Sequence, residues 1–433
     1  MRPRTIIAAV AALAAAAIAA FVLSRGGDPA RPRAAARAPQ TQTSPTELRP
    51  ISVDDVTPHL RALVDAAGAD ATRAAGTPGD AATREAVVDT LRAAGWRVTV
   101  QPVRFPFFDE RRPPSVTLPG GRTLSPGRDV RTLAYSGAGR ASGGVRAVGG
   151  LGCRAADFGA LRDGEVALVQ RGTCLLAVKA RNAQAAGASA ILIANDGGAI
   201  AGTLGAPGLS IPALVISGGA AQDVRAAGRA TIAVDAVSER RRTANVLAET
   251  GDGPRVAMAG GHLDSVADGP GVNDNGSGVS ALLAVAEALG GHAPQGARVR
   301  LAFWGAEELG LYGSRRYVAG LDRAEREAIA AYVNLDTVGT RGGRFAVYRG
   351  DDRIERTLRR ALRERGRDDV GEESLGNASD HAPFARARIP VGGVFTGLDR
   401  CYHRACDGAS NVDPRRVADA AAATAAALLE LSS

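Results

Sequence analysis

The sequence has few aromatic residues and almost no lysine. Aromatic side chains make up 4% of the 433 residues, and Lys179 is the single lysine, so arginine supplies nearly all of the positive charge. The formal net charge is +8, but the arginines are scattered. They form no basic stripe with aromatic residues between them, which is the arrangement that nucleic-acid binding requires. We therefore expect no nucleic-acid partner.

Cysteine is also scarce, and the four cysteines contain no C-x-x-C pair. Cys153 and Cys174 lie 21 residues apart, and Cys401 and Cys406 lie 5 residues apart. In an oxidising compartment, two local disulfides are the simplest arrangement. A zinc site built from all four cysteines is the alternative, and the missing C-x-x-C spacing makes it the weaker of the two.

The N-terminal segment predicts export from the cytoplasm. Arg2 and Arg4 precede an uncharged apolar run over residues 6–23, which is long for a secretory signal peptide and just long enough to span a membrane. We interpret residues 1–24 as a signal peptide or an N-terminal membrane anchor. Residues 25–50 are rich in Pro, Arg, Ala, Gln and Thr and predict a flexible linker. In either case the rest of the chain is expected to be extracytoplasmic, secreted or anchored to the outer face of the membrane.

The remaining chain predicts an α/β fold that is interrupted by an insertion. Residues 51–112 begin with helical patterns, with Asp80 as an expected N-cap, and continue into a strand. Residues 239–433 alternate apolar strands with helices, which predicts a mixed, mostly parallel central sheet with helices on both faces. Residues 113–238 contain many turns and short strands but no cluster of ligand-type side chains. They predict a small α/β domain inserted into the larger one.

Ligand-type side chains follow the apolar runs of this second part of the chain. They are His262, Asp264, Asp274, Glu307, Glu308, Asp336 and His403. Each of them alone has an ordinary structural explanation, such as a helix cap or a packed histidine. Ligands of open α/β sheets bind outside the carboxyl ends of the strands, so side chains at successive strand ends are expected to converge. Together they predict a metal site.

Imidazole and carboxylate ligands suit zinc, and two neighbouring ions need a shared carboxylate. One partition uses each ligand once: His262 and Asp336 hold one ion, Glu308 and His403 hold the other, and Asp274 bridges them. We therefore expect two Zn²⁺ ions per chain. Each ion keeps an open position for water or substrate, as a catalytic site requires.

Two further acidic residues are expected to support the ligands. Asp264 lies two residues after His262, and such side chains point the same way in extended backbone, so its carboxylate is expected to accept a hydrogen bond from the imidazole. Glu307 is adjacent to Glu308, so the two side chains diverge. We expect Glu307 to face the metal-bound water as the general base.

Several motifs within residues 243–413 resemble those of the secreted di-zinc aminopeptidases, in the superfamily of glutamate carboxypeptidase and transferrin receptor. They are "GGHLDSVADGPGVNDNGSGVSALL", "WGAEELGLYGS", "NLDTVG", "SDHAPF" and "CYHRACD". The resemblance implies a zinc exopeptidase fold, the same metal ligands, and Glu307 as the base. In the insertion, "VALVQRGTC" and "KARNAQAAGASAILIAND" resemble a protease-associated domain.

The resemblance also implies roles that the spacing alone does not give. It implies that Tyr402 donates a hydrogen bond to the developing oxyanion. A Cys401–Cys406 disulfide would then hold the loop that presents Tyr402 and His403. It further implies positions behind the metal ligands for two residues, Asp380 and His381.

The function implied is a metal-dependent aminopeptidase that hydrolyses N-terminal residues from peptides or proteins with a free N-terminus, and that acts as a monomer. Two alternatives stay open. A carboxypeptidase of the same superfamily would need an arginine cluster in its pocket, and a catalytically inactive binding protein would have lost the ligands. Ala378 departs from the family pattern, since some close relatives have an arginine there beside the substrate, so the preferred side chain is left open. The inserted domain either shapes substrate access or serves as a structural cap.

Overall fold

The structure is a computed structural model and describes residues 48–374 and 376–432. The expected signal peptide or anchor, residues 1–24, and most of the expected linker, residues 25–50, lie outside the described residues. Within the described part of the chain, no helix combines the length and the apolar character that crossing a membrane requires.

The described residues form ten α-helices and thirteen β-strands. The helices are α1 (Val53–Ala67), α2 (Pro78–Ala93), α3 (Leu176–Ala185), α4 (Gly218–Ala227), α5 (Gly276–Leu289), α6 (Tyr312–Gly320), α7 (Arg323–Ala328), α8 (Asp352–Glu364), α9 (His381–Arg386) and α10 (Pro414–Leu431). The strands are β1 (Arg97–Thr117), β2 (Val130–Thr132), β3 (Gly139–Ala147), β4 (Val166–Gln170), β5 (Ala190–Ala194), β6 (Ala213–Ile216), β7 (Arg229–Gly251), β8 (Val256–His262), β9 (Arg298–Trp304), β10 (Ile329–Leu335), β11 (Ala346–Tyr348), β12 (Gly371–Glu373) and β13 (Val391–Phe395).

The larger sheet has the strand order β12-β11-β13-β10-β8-β9-β7, and β1 pairs with the far side of β7. Its centre, from β13 through β10 and β8 to β9, is parallel. Strand β7 is antiparallel to β9, and β11 is antiparallel to β13. This confirms the mixed, mostly parallel sheet expected from the alternation of strands and helices.

Helices cover both faces of this sheet, as the sequence predicts. On one face, apolar side chains of α1, α2, α5, α8 and α10 form the main core with the sheet. Helix α5 packs against both α1 and α10, which explains why it is buried nearly all round. On the other face, α6 and α9 pack over aromatic residues of β9 and β10, where the rings of Tyr332 and Phe384 stack with their centroids 3.9 Å apart.

The insertion folds around a second set of strands in the order β3-β4-β5-β6-β2, parallel from β3 to β6. Strands β1 and β7 are 21 and 23 residues long and run from the larger sheet into this domain as an antiparallel pair. Pro113 and Pro114 fit within β1 because, among the described strands, β7 alone forms a ladder with it, and because register shifts lie between Glu110 and Ser115. Both predicted domain boundaries, at 112/113 and 238/239, therefore fall inside continuous strands.

The start of α2 differs from the prediction. Thr77, not Asp80, is the N-cap, since the Thr77 side chain accepts a hydrogen bond from the Asp80 amide at 3.3 Å. Pro78 follows at the first helical position, where its fixed φ is favourable. The Asp80 carboxylate is buried and accepts hydrogen bonds from the Gly76 amide and the Thr243 hydroxyl, each at 3.0 Å. Asp80 therefore links the turn before α2 to β7.

Candidate metal centre and substrate cavity

The carboxyl ends of the central parallel strands bring the predicted ligands to one edge of the sheet. Strand β8 ends at His262, β9 ends shortly before Glu307, and β10 ends just before Asp336. The strands approach closely here: a Cβ added at Gly260 would lie 2.7 Å from the Tyr332 hydroxyl oxygen and 2.8 Å from the Trp304 indole nitrogen. The tight packing beneath the strand ends fixes where the polar side chains emerge.

Asp274 lies between the two histidines. Its Oδ1 is 3.3 Å from His262 Nε2 and its Oδ2 is 3.2 Å from His403 Nε2. On the first side, His262 Nε2 is also 3.5 Å from Asp336 Oδ1. On the second side, His403 Nε2 is 3.1 Å from Glu308 Oε2. The structure thus brings all five predicted ligands together, in two groups that share Asp274.

These separations match the edges of a zinc coordination tetrahedron. With Zn–N and Zn–O bonds of 2.0–2.1 Å, two ligand atoms on one tetrahedral zinc are about 3.3 Å apart. Each group offers an imidazole nitrogen, one oxygen of Asp274, and one further carboxylate oxygen. Ligand atoms of His262, Glu307 and Glu308 form a third group, in which the three atoms lie within 4.8 Å of one another.

The charge of the site also fits divalent cations. Four carboxylates converge here and all are largely buried: those of Asp274, Glu307, Glu308 and Asp336. Among the described residues, no arginine or lysine forms an ion pair with any of them. The buried Oε1 of Glu308 has no hydrogen-bond partner there. Buried carboxylates that have no arginine or lysine partner are costly, and divalent cations would neutralise them, so the residues present fit a pair of zinc ions.

The titration behaviour of the site follows from burial and from this crowding of charge. Burial raises the pKa of Glu307 well above its usual value, and the carboxylates of Asp380 and Asp336 add to the increase. Burial also acts to raise the pKa of Asp274, but hydrogen bonds with His262 and His403 outweigh it and hold the pKa below its usual value. Hydrogen bonds with Asp274 and Glu308 raise the pKa of His403 to about 10. Metal binding at His403 would displace the proton from its imidazole.

Asp264 supports the site differently from the prediction. The Nδ1 of His262 lies 2.9 Å from the backbone carbonyl oxygen of Asp264, not from its carboxylate. The carboxylate instead accepts the backbone amides of Glu307 and Glu308, at 3.0 and 3.3 Å. The expected carboxylate–imidazole bond was therefore wrong. Because Asp264 is fully buried below the 307–308 turn, one residue orients a histidine with its backbone and both glutamates with its side chain.

The motif "SDHAPF" contributes a residue that sequence reasoning missed. Ser379 donates a hydrogen bond to Asp336 Oδ2 at 2.5 Å, so it orients that carboxylate. Its neighbour Asp380 is fully buried, and burial raises the pKa of Asp380 to about 7. His381 follows, with its Nε2 3.1 Å from the carbonyl oxygen of Gly376. Ser379 could have been predicted as a site residue because it directly precedes Asp380 in this motif.

Tyr402 and His403 lie in a loop that the Cys401–Cys406 disulfide closes. The Tyr402 ring stacks on the imidazole of His403, with the centroids 3.8 Å apart. Burial, followed by the nearby carboxylates of Asp274 and Glu308, raises the pKa of Tyr402. The phenol therefore keeps its proton and can act as a hydrogen-bond donor. The second predicted disulfide, Cys153–Cys174, is also formed, in the inserted domain.

Unusual backbone conformations are concentrated around the site. Seven non-glycine residues in the described chain have positive φ, and four of them lie here: Ala306, Leu311, Thr337 and His403. Each such conformation costs of order 1–3 kcal/mol and persists only where the surroundings determine it. Ala306 precedes Glu307, and Thr337 follows Asp336. The strained residues therefore aim the neighbouring functional side chains.

A cavity of about 390 Å³ opens over the predicted metal ligands. Its walls include the apolar side chains of Leu311, Phe395 and Leu398, together with Tyr402. Arg315 is the single arginine of this lining, and Ala378 also belongs to it. Ala378, where the sequence departs from the pattern expected by resemblance, is therefore part of the cavity wall.

The chain is similar to a solved zinc aminopeptidase over most of its length, and it matches two family models. The fold is that of zinc aminopeptidases: a zinc aminopeptidase from Bacillus subtilis superposes with a TM-score of 0.61 and 26% identity, covering 89% of this chain and 96% of that chain. Residues 245–428 match the model of peptidase family M28, and residues 141–224 match the PA domain. The chain belongs to peptidase family M28 and carries an inserted PA domain.

Two relatives extend this likeness over most of the chain. An aminopeptidase of Pseudomonas aeruginosa is 35% identical, over 87% of this chain and 80% of that protein. A probable lipoprotein aminopeptidase of Mycobacterium tuberculosis is 37% identical, over 81% of this chain and 75% of that protein. A continuous alignment over 81% or more of the chain must contain the insertion and much of the peptidase domain.

Proposed function

We propose that this protein is an extracytoplasmic di-zinc aminopeptidase that removes N-terminal residues from peptides. One observation carries the proposal: the two oxygens of Asp274 face different histidines, each of which has a second carboxylate within 3.5 Å. The shared carboxylate gives two adjacent binding positions of similar composition. The relatives named as aminopeptidases support the same activity.

In this proposal His262 and Asp336 hold one ion, Glu308 and His403 hold the other, and Asp274 bridges them. When bound, the zinc ions supply Lewis acidity that polarises the scissile carbonyl and lowers the pKa of the attacking water. Asp264 and Ser379 keep the ligand side chains oriented, through the hydrogen bonds described above.

Glu307 is the proposed general base. Its carboxylate lines the cavity, 3.8 Å from His262 Nε2, and is not needed by either ligand group that shares Asp274. Glu307 takes a proton from the attacking water and then passes it to the leaving amine. The raised pKa of Glu307 suits a group that must both accept and release a proton. Tyr402 stays protonated and donates to the developing oxyanion.

The lining of the cavity favours substrates with a free N-terminus and an apolar first side chain. The excess of carboxylates attracts the free ammonium group of an N-terminus, and Leu311, Phe395 and Leu398 offer an apolar surface to the first side chain. A carboxypeptidase for acidic residues would need several arginines here, whereas Arg315 is the single one in this lining. A binding protein that had lost catalysis would not need to keep all five proposed ligands and Glu307 together in one site.

The domain boundaries and location are part of the proposal. The peptidase domain comprises residues 51–112 and 239–433, and the PA domain comprises residues 113–238. Residues 1–24 direct the chain out of the cytoplasm, where the two disulfides are stable. The lipoprotein relative supports an extracytoplasmic location. The protein acts as a monomer on peptides with a free N-terminus.

The test is a panel of aminoacyl-p-nitroanilides, each paired with its N-acetylated form, before and after metal chelation. We expect release of p-nitroaniline from apolar amino acids with a free amine, loss of activity on chelation, and recovery when zinc is added back. Comparable cleavage of the acetylated substrates would contradict the aminopeptidase assignment. Activity that survives complete metal removal would contradict the metal assignment.

A further inference from the structure

The segment that joins His262 to the bridging carboxylate has little regular structure of its own. It runs over residues 263–275, named here the ligand loop, between the end of β8 and the start of α5. The loop contains Asp274, which must present one oxygen to each side of the site. Such a loop needs external support to hold a ligand within the tolerance of a metal site.

One support is a buried arginine from a distant part of the sequence. Arg73 lies in the turn before α2, and its side chain is fully buried. The guanidinium donates to three backbone carbonyls of the ligand loop: Leu263, Pro270 at 2.8 Å and Gly271 at 2.6 Å. The backbone amide of Arg73 also donates to the Ser265 hydroxyl, at 3.0 Å. Among the described residues, this buried guanidinium has no carboxylate within ion-pair distance, so its hydrogen bonds go to the loop backbone.

The opposite support is Asp407, which follows the Cys401–Cys406 disulfide. Its two carboxylate oxygens accept the backbone amides of Asn273 and Asp274, each at 3.0 Å. Its carbonyl oxygen accepts the amide of Val272, at 2.9 Å. Three consecutive amides, ending with that of the bridging residue, therefore donate to one buried aspartate.

We propose that Arg73 and Asp407 form a clamp that positions the bridging carboxylate of Asp274 for metal binding. Arg73 holds the loop by its carbonyls, Asp407 holds it by its amides, and their opposite charges attract each other across it. Both are positioning residues, since neither is one of the ligand groups. This inference rests on the proposed di-zinc site and assigns to these two residues the geometry of its shared ligand.

The clamp makes specific demands on side-chain chemistry. An Arg73→Lys variant keeps the charge, but one ammonium cannot reproduce a planar fork that reaches three carbonyls. An Asp407→Asn variant keeps the size, but it leaves one acceptor oxygen and turns an NH₂ group towards a backbone amide. Both substitutions should therefore loosen Asp274 while leaving every proposed ligand in place.

The experiment compares these variants with two controls that alter similar groups away from the site. Arg300→Lys changes a largely buried arginine that pairs with Glu249, and Asp419→Asn changes a buried aspartate that pairs with Arg365 and Arg367. For each protein, we would measure bound zinc per chain, zinc affinity by chelator competition, the visible spectrum of the Co²⁺-loaded form, and the melting temperature without metal.

We expect Arg73→Lys and Asp407→Asn to weaken at least one zinc by about 10- to 100-fold and to alter the Co²⁺ spectrum. The controls should keep wild-type affinity and spectrum even where they melt earlier. Clamp variants with wild-type affinity and spectrum would overturn the inference, and so would controls that lose zinc in proportion to their melting temperature. If Arg73→Lys does not fold, Asp407→Asn decides the outcome. Wild-type protein that binds fewer than two zinc ions would instead overturn the proposed di-zinc site and, with it, this clamp.

Discussion

At the scale of single residues, two neighbouring glutamates of the site have different proposed roles. Glu307 and Glu308 are adjacent, and the carboxylate of Asp264 accepts both of their backbone amides. This shared anchor fixes the turn, so that Glu308 reaches His403 while Glu307 faces the cavity. A proton-transfer role and a metal-binding role can therefore be separated by substitution.

A Glu307→Gln variant tests this separation. Because glutamine cannot accept the proton, we expect kcat to fall by about 10²–10⁴-fold, the usual contribution of a general base. Bound zinc should stay at the wild-type level, since Glu307 is not needed in either ligand group that shares Asp274. Steady-state kinetics and metal analysis on the same preparation measure both. Glu327→Gln, on exposed α7, is the matched control, and loss of zinc without a rate defect in Glu307→Gln would refute the assignment.

Tyr402→Phe tests the oxyanion donor. Removing one hydrogen bond that forms in the transition state should lower kcat by about 10²–10³-fold and change KM little. The ring stacking on His403 is kept, so bound zinc should not change. An unchanged kcat would show that the phenol does not contact the reacting carbonyl.

Some of these residues could be predicted from the sequence, and others could not. The convergence of the five ligand-type side chains was predictable because they follow apolar strands whose ends meet at one edge of the sheet. Asp264 was placed correctly but given the wrong hydrogen-bond partner, since sequence spacing does not reveal which atom turns towards the imidazole. Arg73 gave no signal, because it is one arginine among many and meets the ligand loop from 190 residues away.

At the scale of elements, the loop closed by Cys401–Cys406 combines several functions over a few residues. It presents Tyr402 and His403 to the cavity, and Asp407 follows directly to hold Asp274 from behind. The other disulfide, Cys153–Cys174, closes a longer loop in the inserted domain. Loss of the Cys153–Cys174 disulfide should therefore reduce stability more, whereas loss of the Cys401–Cys406 disulfide should weaken metal binding more.

Replacing each cysteine pair by serines tests this. Loop-closure entropy predicts a loss of about 2 kcal/mol for the short loop and about 3 kcal/mol for the long one. We expect the Cys401/Cys406 variant to lose zinc affinity and activity more strongly, because its loop carries a ligand. The Cys153/Cys174 variant serves as the control. Equal effects of both variants on zinc affinity would contradict a local role for the Cys401–Cys406 loop.

At the scale of the whole molecule, two domains share one pair of long strands. The insertion was predictable from its composition, because it has many turns and lacks ligand-type clusters. The exact positions at which the insertion joins the peptidase domain were not predictable, since β1 continues through Pro113 and Pro114 as an edge strand, where a missing amide costs no ladder bond. The proposed metal centre lies in the peptidase domain, and the two residues that hold its ligand loop come from different parts of the chain: Arg73 from the segment before the insertion and Asp407 from the C-terminal part. Stability and metal binding should therefore be coupled across the chain.

The buried carboxylates around the site predict that the stability of the zinc-free protein depends on pH. Burial raises the pKa of Asp264 and of Asp380 to about 7, against about 3.9 for an unfolded aspartate. Their contribution to stability is complete below the unfolded pKa and is lost as the pH rises through 7. The raised pKa of His403 acts in the same direction, whereas the pKa of His381, lowered by burial, opposes it. We therefore expect zinc-free protein to melt at a lower temperature at about pH 8 than at about pH 5.5.

Zinc should reverse this trend, because metal binding displaces protons from the ligands and strengthens as the pH rises. At free zinc about 100-fold above Kd, each site adds about 2.7 kcal/mol to the free energy of unfolding. Thermal unfolding with chelator or with zinc, at both pH values, measures the two effects. Asp380→Asn mimics the protonated carboxyl, so its zinc-free form should lose less stability between the two pH values. A zinc-free melting temperature that rises with pH would contradict the assignment of buried, proton-binding carboxylates to this site.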